Sequence, residues 1–136
     1  MRNWVSSVPR SSESKKTDVE AINESRKWTT WAVLCHATAL LGFFVPWAGH
    51  FLGPLIVWLL KRGEYPEIDE HGKESLNFQI SMFIYSVVAG ILCLVLIGFA
   101  LLAILHVLNV VLVIIASIRA SEGRLYHYPL TIRLLK

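Results

Sequence analysis

The sequence predicts an all-α integral membrane protein of four helices arranged as two hairpins, and three observations carry that expectation. Leu76 to Ile118 is a run of 43 residues without an Asp, Glu, Lys or Arg. As helix it would extend roughly 64 Å at about 1.5 Å per residue, twice the ~30 Å hydrocarbon thickness of a bilayer, so it should hold two spans. Hydrophobic residues make up 54% of the 136-residue chain and charged ones 17%, with a mean hydropathy of +0.53. Soluble domains carry about a quarter charged residues, and a chain this short has one modest core that cannot surround a helix apolar on every side. The third observation is the placement of Lys and Arg. If the apolar segments before Lys61 form a hairpin, all 13 lie on one side; three crossings would divide them six to seven. The positive-inside rule selects the hairpins, with N-terminus, central loop and C-terminus cytoplasmic in a bacterial inner membrane.

Residues 1–27 mix Ser, Lys, Glu, Thr and Arg and bury too little to offset their ordering entropy, so a disordered or loosely helical cytoplasmic tail is expected. Within it, Thr17 and Glu20 have capping-box spacing for a short helix to Lys27. No cleavable signal peptide is expected, because polar residues precede the first apolar run. That run, 28–45, is just long enough to span, with Trp28 and Trp31 as an interfacial belt after Arg26 and Lys27. Pro46 should end it. The second segment, 47–60, contains Gly49, Gly53 and Pro54 and is short enough to be kinked or re-entrant. A polar loop from Lys61 to Ser75 leads to spans at 76–97 and 101–118, divided near Gly98. Residues 124–136 alternate Tyr, Leu and Ile with Arg and Lys and should lie at the headgroups. Trp28 and Trp58 are expected together at the cytoplasmic interface, and Trp47 with His50 at the outer one.

Polar residues inside these spans are the site candidates. Asn77, Ser81 and Tyr85 recur every four residues and share a stripe on the third helix, with Gln79 and Ser86 on adjacent faces. Polar groups in hydrocarbon need partners, so the stripe should bond other helices or line a wet pathway. His106 and Asn109 share a face of the fourth helix and could supply those partners, while His36 lies between Ala32 and Ala39 on a close-packing face of the first. His36, His50 and His106 have no common metal-ligand spacing and no intramembrane carboxylate, so no metal or cofactor is expected. Cys35 and Cys93 lie in apolar runs and read as buried small hydrophobes. Asp69, Glu70, His71, Lys73 and Glu74 form a cytoplasmic contact-surface candidate before the third span, with Gly72 making the turn. Acid, imidazole and base in one run do not supply a substrate pocket, and no nucleophile motif or phosphate loop is present, so no enzyme is expected. No basic stripe accompanies the net charge of +3, so nucleic acid is not an expected partner.

The CH pair at Cys35 and His36, GPLIVWLLKR from Gly53, DEHGKESLNFQIS from Asp69 and YPLTIR from Tyr128 resemble a family of small bacterial membrane proteins grouped as a domain of unknown function. That family is distantly similar to the import component of the chloroplast inner-envelope translocon. The resemblance runs from about Trp28 to Lys136 and implies a four-helix membrane unit without catalytic residues. The resulting expectation is a structural or accessory subunit, working in the bilayer as a homo-oligomer or with another membrane protein. The alternative is a channel or transporter lined by the third-helix stripe.

Overall fold

A computed structural model describes residues 11–45 and 48–136, and those residues contain no strand. Helix α1 (Ser12–Ala37) continues into a 3-10 segment (Thr38–Phe43), followed by α2 (Gly49–Lys61), α3 (Pro66–Leu92) and α4 (Ile97–Ser121). These are the expected four helices in two hairpins. Residues 1–10 and the pair Pro46 and Trp47 lie outside the described residues, and with them the expected start of the tail and the Trp47–His50 pairing.

The boundaries differ from the sequence reading in four places. First, α1 begins at Ser12, whose predecessor Ser11 accepts a hydrogen bond from the Ser14 N–H as N-cap. Thr17, expected as the cap, lies inside the helix and donates its hydroxyl to the Glu13 carbonyl. Residues 12–27 are therefore continuous helix, propagated from the packed part of α1 and almost wholly exposed. Second, the 28–45 segment finishes as 3-10 helix. Its greater rise lengthens ten α and six 3-10 residues to roughly 27 Å, close to the bilayer thickness.

Third, α3 starts ten residues before Leu76. Pro66 occupies its first turn and Glu67 and Asp69 follow, a proline and acidic start that suits the free N–H groups of a helix N-terminus. Gly72 therefore makes no turn: it lies inside α3 beneath the Trp58 ring, where any Cβ would collide. Fourth, α3 and α4 are divided at Leu96, which takes a left-handed φ of 64°, rather than at Gly98. Gly98 serves the hairpin in another way, since α4 passes so close to the Ala89 carbonyl that no Cβ fits.

Each hairpin reverses at the end remote from the 62–65 turn, so the charges collect at one end. Lys61 lies over the Trp31 ring at 4.6 Å and Arg62 over Trp58 at 4.9 Å, while Gly123 is beside Trp28. Near this end Ala32, Cys35, Val57, Ile68 and Ala120 form one core cluster; Ala39, Phe78, Met82, Val113, Ala116 and Tyr128 form another.

Among the described residues, two helices are long and apolar enough to cross a membrane, Pro66–Val95 with its 3-10 extension and Ile97–Ser121. Only 28% and 17% of their most apolar stretches are buried inside the protein. A core helix of a soluble domain would be mostly covered. Helix α2 is only about 20 Å long by helical rise and carries Pro54 in its interior.

Candidate functional site

The residues after α4 run in a direction that sequence patterning did not anticipate. From Tyr128 the chain climbs along α3, turns at Pro129 and Leu130, and returns to the charged end. Its course is fixed by hydrogen bonds. Glu74 accepts from the Tyr128 N–H at 2.8 Å, and the Tyr85 hydroxyl donates to the Leu130 carbonyl at 2.7 Å. Ser81 Oγ then accepts from the Ile132 N–H at 2.7 Å while donating to the Asn77 carbonyl. Asn77 takes the N–H groups of Leu134 and Leu135 on Oδ1 and returns Nδ2 to the Leu135 carbonyl.

The reason for the polar stripe follows from this geometry. A non-helical segment has no internal partners for its backbone, so at membrane depth it persists only where protein groups replace water. Glu74, Asn77, Ser81 and Tyr85 recur at three- and four-residue spacing and present those groups on one face. Residues 128–135 are thus held against α3 by hydrogen bonds, while Leu130, Ile132 and Leu134 stay exposed. Leu130 sits at the reversal with φ 60° after Pro129, the proline then positive-φ order of a type II turn.

Tyr128 is the deepest anchor of this segment. Its ring stacks on Phe78 with centroids 3.9 Å apart, and its hydroxyl is 2.9 Å from His36 Nδ1. The other ring nitrogen of His36 is 3.1 Å from His71 Nδ1. Both histidines are buried, and a neutral pair satisfies both contacts if Tyr128 donates to His36 and His36 donates through Nε2 to His71. Helix α1, helix α3 and the C-terminal segment meet at this triad.

The expected contact surface is thereby largely turned inward. His71 and Glu74 are 3% and 6% exposed and occupied as described. Asp69 accepts from Trp58 Nε1 at 2.8 Å, which ties α2 to α3, and pairs with Lys73 of its own helix at 2.6 Å; Glu70 alone of the five is exposed. Because α3 begins at Pro66, these residues lie on helix faces directed by its period instead of on a loop.

On the other side of α3 lies an open-sided cavity of about 870 Å³, bounded by the 3-10 segment, α2, α3 and α4. Its walls are chiefly apolar, with Phe43, Phe51, Met82 and Leu105 among them, and its polar members include Gln79, Asn109, His50 and His106. Asn109 Nδ2 donates to Gln79 Oε1 at 3.1 Å, so Asn109 bonds α3 but through Gln79, not through the Asn77 stripe. His50 and His106 meet the Phe43 ring edge to face, at centroid distances of 5.6 and 5.4 Å. Among the described residues, no three His, Cys, Asp or Glu side chains are grouped to hold a metal ion.

Sequence reasoning singled out Asn77, Ser81, Tyr85, His36, His106 and Asn109 but missed Tyr128 and the inward role of Glu74. One signal was available: Asn, Ser and Tyr on one stripe require partners, and the tail of a short chain offers many backbone groups.

A family model described as the Magnetosome magnetite crystal formation protein family matches residues 27–135, and the chain belongs to that family. The matched region starts beside Trp28, where α1 enters the bundle, and includes the C-terminal segment. This agrees with a small bacterial family, as the resemblance implied, while nothing in the comparisons carries the likeness to the chloroplast import component. No curated protein and no solved structure matches the chain.

Proposed function

We propose that this member of the magnetosome magnetite crystal formation family is a non-enzymatic, multi-pass protein of a bacterial membrane, serving magnetite formation as a structural or accessory subunit. The observation that carries this reading is the family match across 27–135, which covers all four helical segments and the bound tail. The poorly buried apolar faces of α3 and α4 support insertion in a bilayer. The end bearing Lys61, Arg62 and Arg119 faces the cytoplasm and α1 projects from it, while the cavity lies toward the opposite side. Residues 28–136 form the membrane domain. It works as a homo-oligomer or against another membrane protein.

Deleting the gene in a magnetite-forming bacterium and measuring crystal size and number by electron microscopy tests this reading. Altered crystals are expected, restored by the wild-type gene and equally by a His71→Gln variant retained in the membrane. Unchanged crystals would remove the function, and release of the protein by alkaline carbonate would remove the membrane placement.

A channel or transporter is the second reading, and the polar-floored cavity favours it. It requires single cysteines at Gln79 and Ser86 to react with membrane-impermeant thiol reagents, whereas the accessory reading requires them to be protected.

A further inference from the structure

The cavity between α2, α3 and α4 has an unusual combination of walls and floor. Four buried side-chain polar atoms among the described residues lack a hydrogen-bond partner: His50 Nδ1, Gln79 Nε2, Asn109 Oδ1 and Thr131 Oγ1. Three belong to residues lining this one cavity. Gln79 is 2% and Asn109 8% exposed. Their mutual bond uses one acceptor and one donor, leaving a donor on Gln79 and an acceptor on Asn109. Unpartnered groups in a low-polarity interior are costly, and native proteins rarely keep them without a ligand or water.

The unmet pair specifies chemistry. A donor beside an acceptor, with no Asp, Glu, Lys or Arg among the lining residues, is complementary to a neutral group that both accepts and donates. A hydroxyl does both through one atom. An anion would find no Lys or Arg here, and His50 and His106 have no third His, Cys, Asp or Glu grouped with them among the described residues to hold a metal ion. The remaining walls call for an alkyl chain, and a volume of about 870 Å³ lies within the ordinary range for sites that enclose a small ligand. Phe43, Phe83, Val87, Ile91 and Leu94 line the cavity and are also exposed on the apolar exterior. Its access is therefore through the hydrocarbon rather than through the charged end.

We infer that this cavity is a binding site for a neutral, hydroxyl-bearing membrane lipid, with the alkyl chain among Phe51, Met82, Phe83 and Leu105 and the hydroxyl at the Gln79–Asn109 pair. Gln79 Nε2 and Asn109 Oδ1 are themselves buried, so the hydroxyl reaches them once the two side chains turn toward the cavity. The inference rests on the membrane placement proposed above. It gives the bundle a ligand-responsive element, because an occupant touches α2, α3 and α4 together.

The test uses the full chain in vesicles of its own membrane and two photoreactive probes, a diazirine-bearing hexadecanol and the matching hydrocarbon without the hydroxyl. Carbonate extraction on the same vesicles reports insertion separately, so loss of the membrane placement is distinguishable from loss of the site. Labelling by the alcohol is expected to concentrate on peptides containing Phe43, Phe83 and Leu105, with about a tenfold advantage over the hydrocarbon from two modest hydrogen bonds. The double variant Gln79→Leu with Asn109→Leu should erase that advantage while leaving hydrocarbon labelling intact. Gly90 lines the cavity with open space where a Cβ would stand, so Gly90→Leu should fill it and suppress both labels. Equal labelling by the two probes would mean that water serves the amides, and would overturn the inference. So would alcohol labelling spread evenly to the outward residues Val107, Val111 and Ile114 of α4.

Discussion

Two faces of α3 carry neutral polar side chains within its apolar stretch and use them in opposite ways. On one, Asn77, Ser81 and Tyr85, together with Glu74 nearer the charged end, bond the backbone of the C-terminal segment. On the other, Gln79 bonds Asn109 and each amide keeps one group unmet. The residue types are nearly the same, and so are the apolar helix faces around them. What separates them is the supply of partners: an extended chain presents unpaired N–H and C=O groups at regular intervals, whereas a neighbouring helix has already used its own. One stripe is thus saturated by the tail, and the other is left half-saturated beside a cavity.

The sharpest way to break this comparison is to make the same kind of change on both faces. Asn77→Leu leaves two N–H groups and a carbonyl of the tail without partners and should cost about 2–4 kcal/mol, or detach the segment. Limited proteolysis after Leu125 and the thermal midpoint in nanodiscs would read either result; a protected tail with an unchanged midpoint would refute the role of the stripe. Glu74→Leu should follow at about 1–3 kcal/mol, while Glu74→Gln, which keeps an acceptor for the Tyr128 N–H, should recover most of the loss in the same assay.

Tyr128→Phe keeps the stack on Phe78 and removes only the hydroxyl that reaches His36. A loss of about 1 kcal/mol is expected in denaturant titration, with the tail still protected. The paired change on the cavity face, Gln79→Leu with Asn109→Leu, replaces both partners at once and should be neutral within about 1 kcal/mol, since no buried group is left behind. If it destabilised the protein as much as Asn77→Leu, the two faces would not differ as described. The smallest effect is expected at Leu130→Gly, which relieves a positive φ at the turn and should stabilise by about 0.5 kcal/mol.

Much of the architecture was legible in the chain because hydrophobicity and charge act additively along it. The uncharged run from Leu76 to Ile118 contains the paired apolar helices, and the placement of Lys and Arg gives the hairpins. Helix starts were less legible. The Pro66, Glu67, Asp69 start was present but overshadowed by the polarity of the residues after it, and Gly72 read as a turn because nothing local reveals the Trp58 ring that covers it.

The sequence by itself determined the helical class, the two hairpins and the need for partners at Asn77, Ser81 and Tyr85, since each depends on composition or on the 3.6-residue period. Only the tertiary structure decided who those partners are. Tyr128 is 92 residues from His36, and Leu135 is 58 from Asn77. Periodicity states which side chains share a face, but a hydrogen bond across such separations depends on the chain path, and here that path turns at Leu130 and returns along α3.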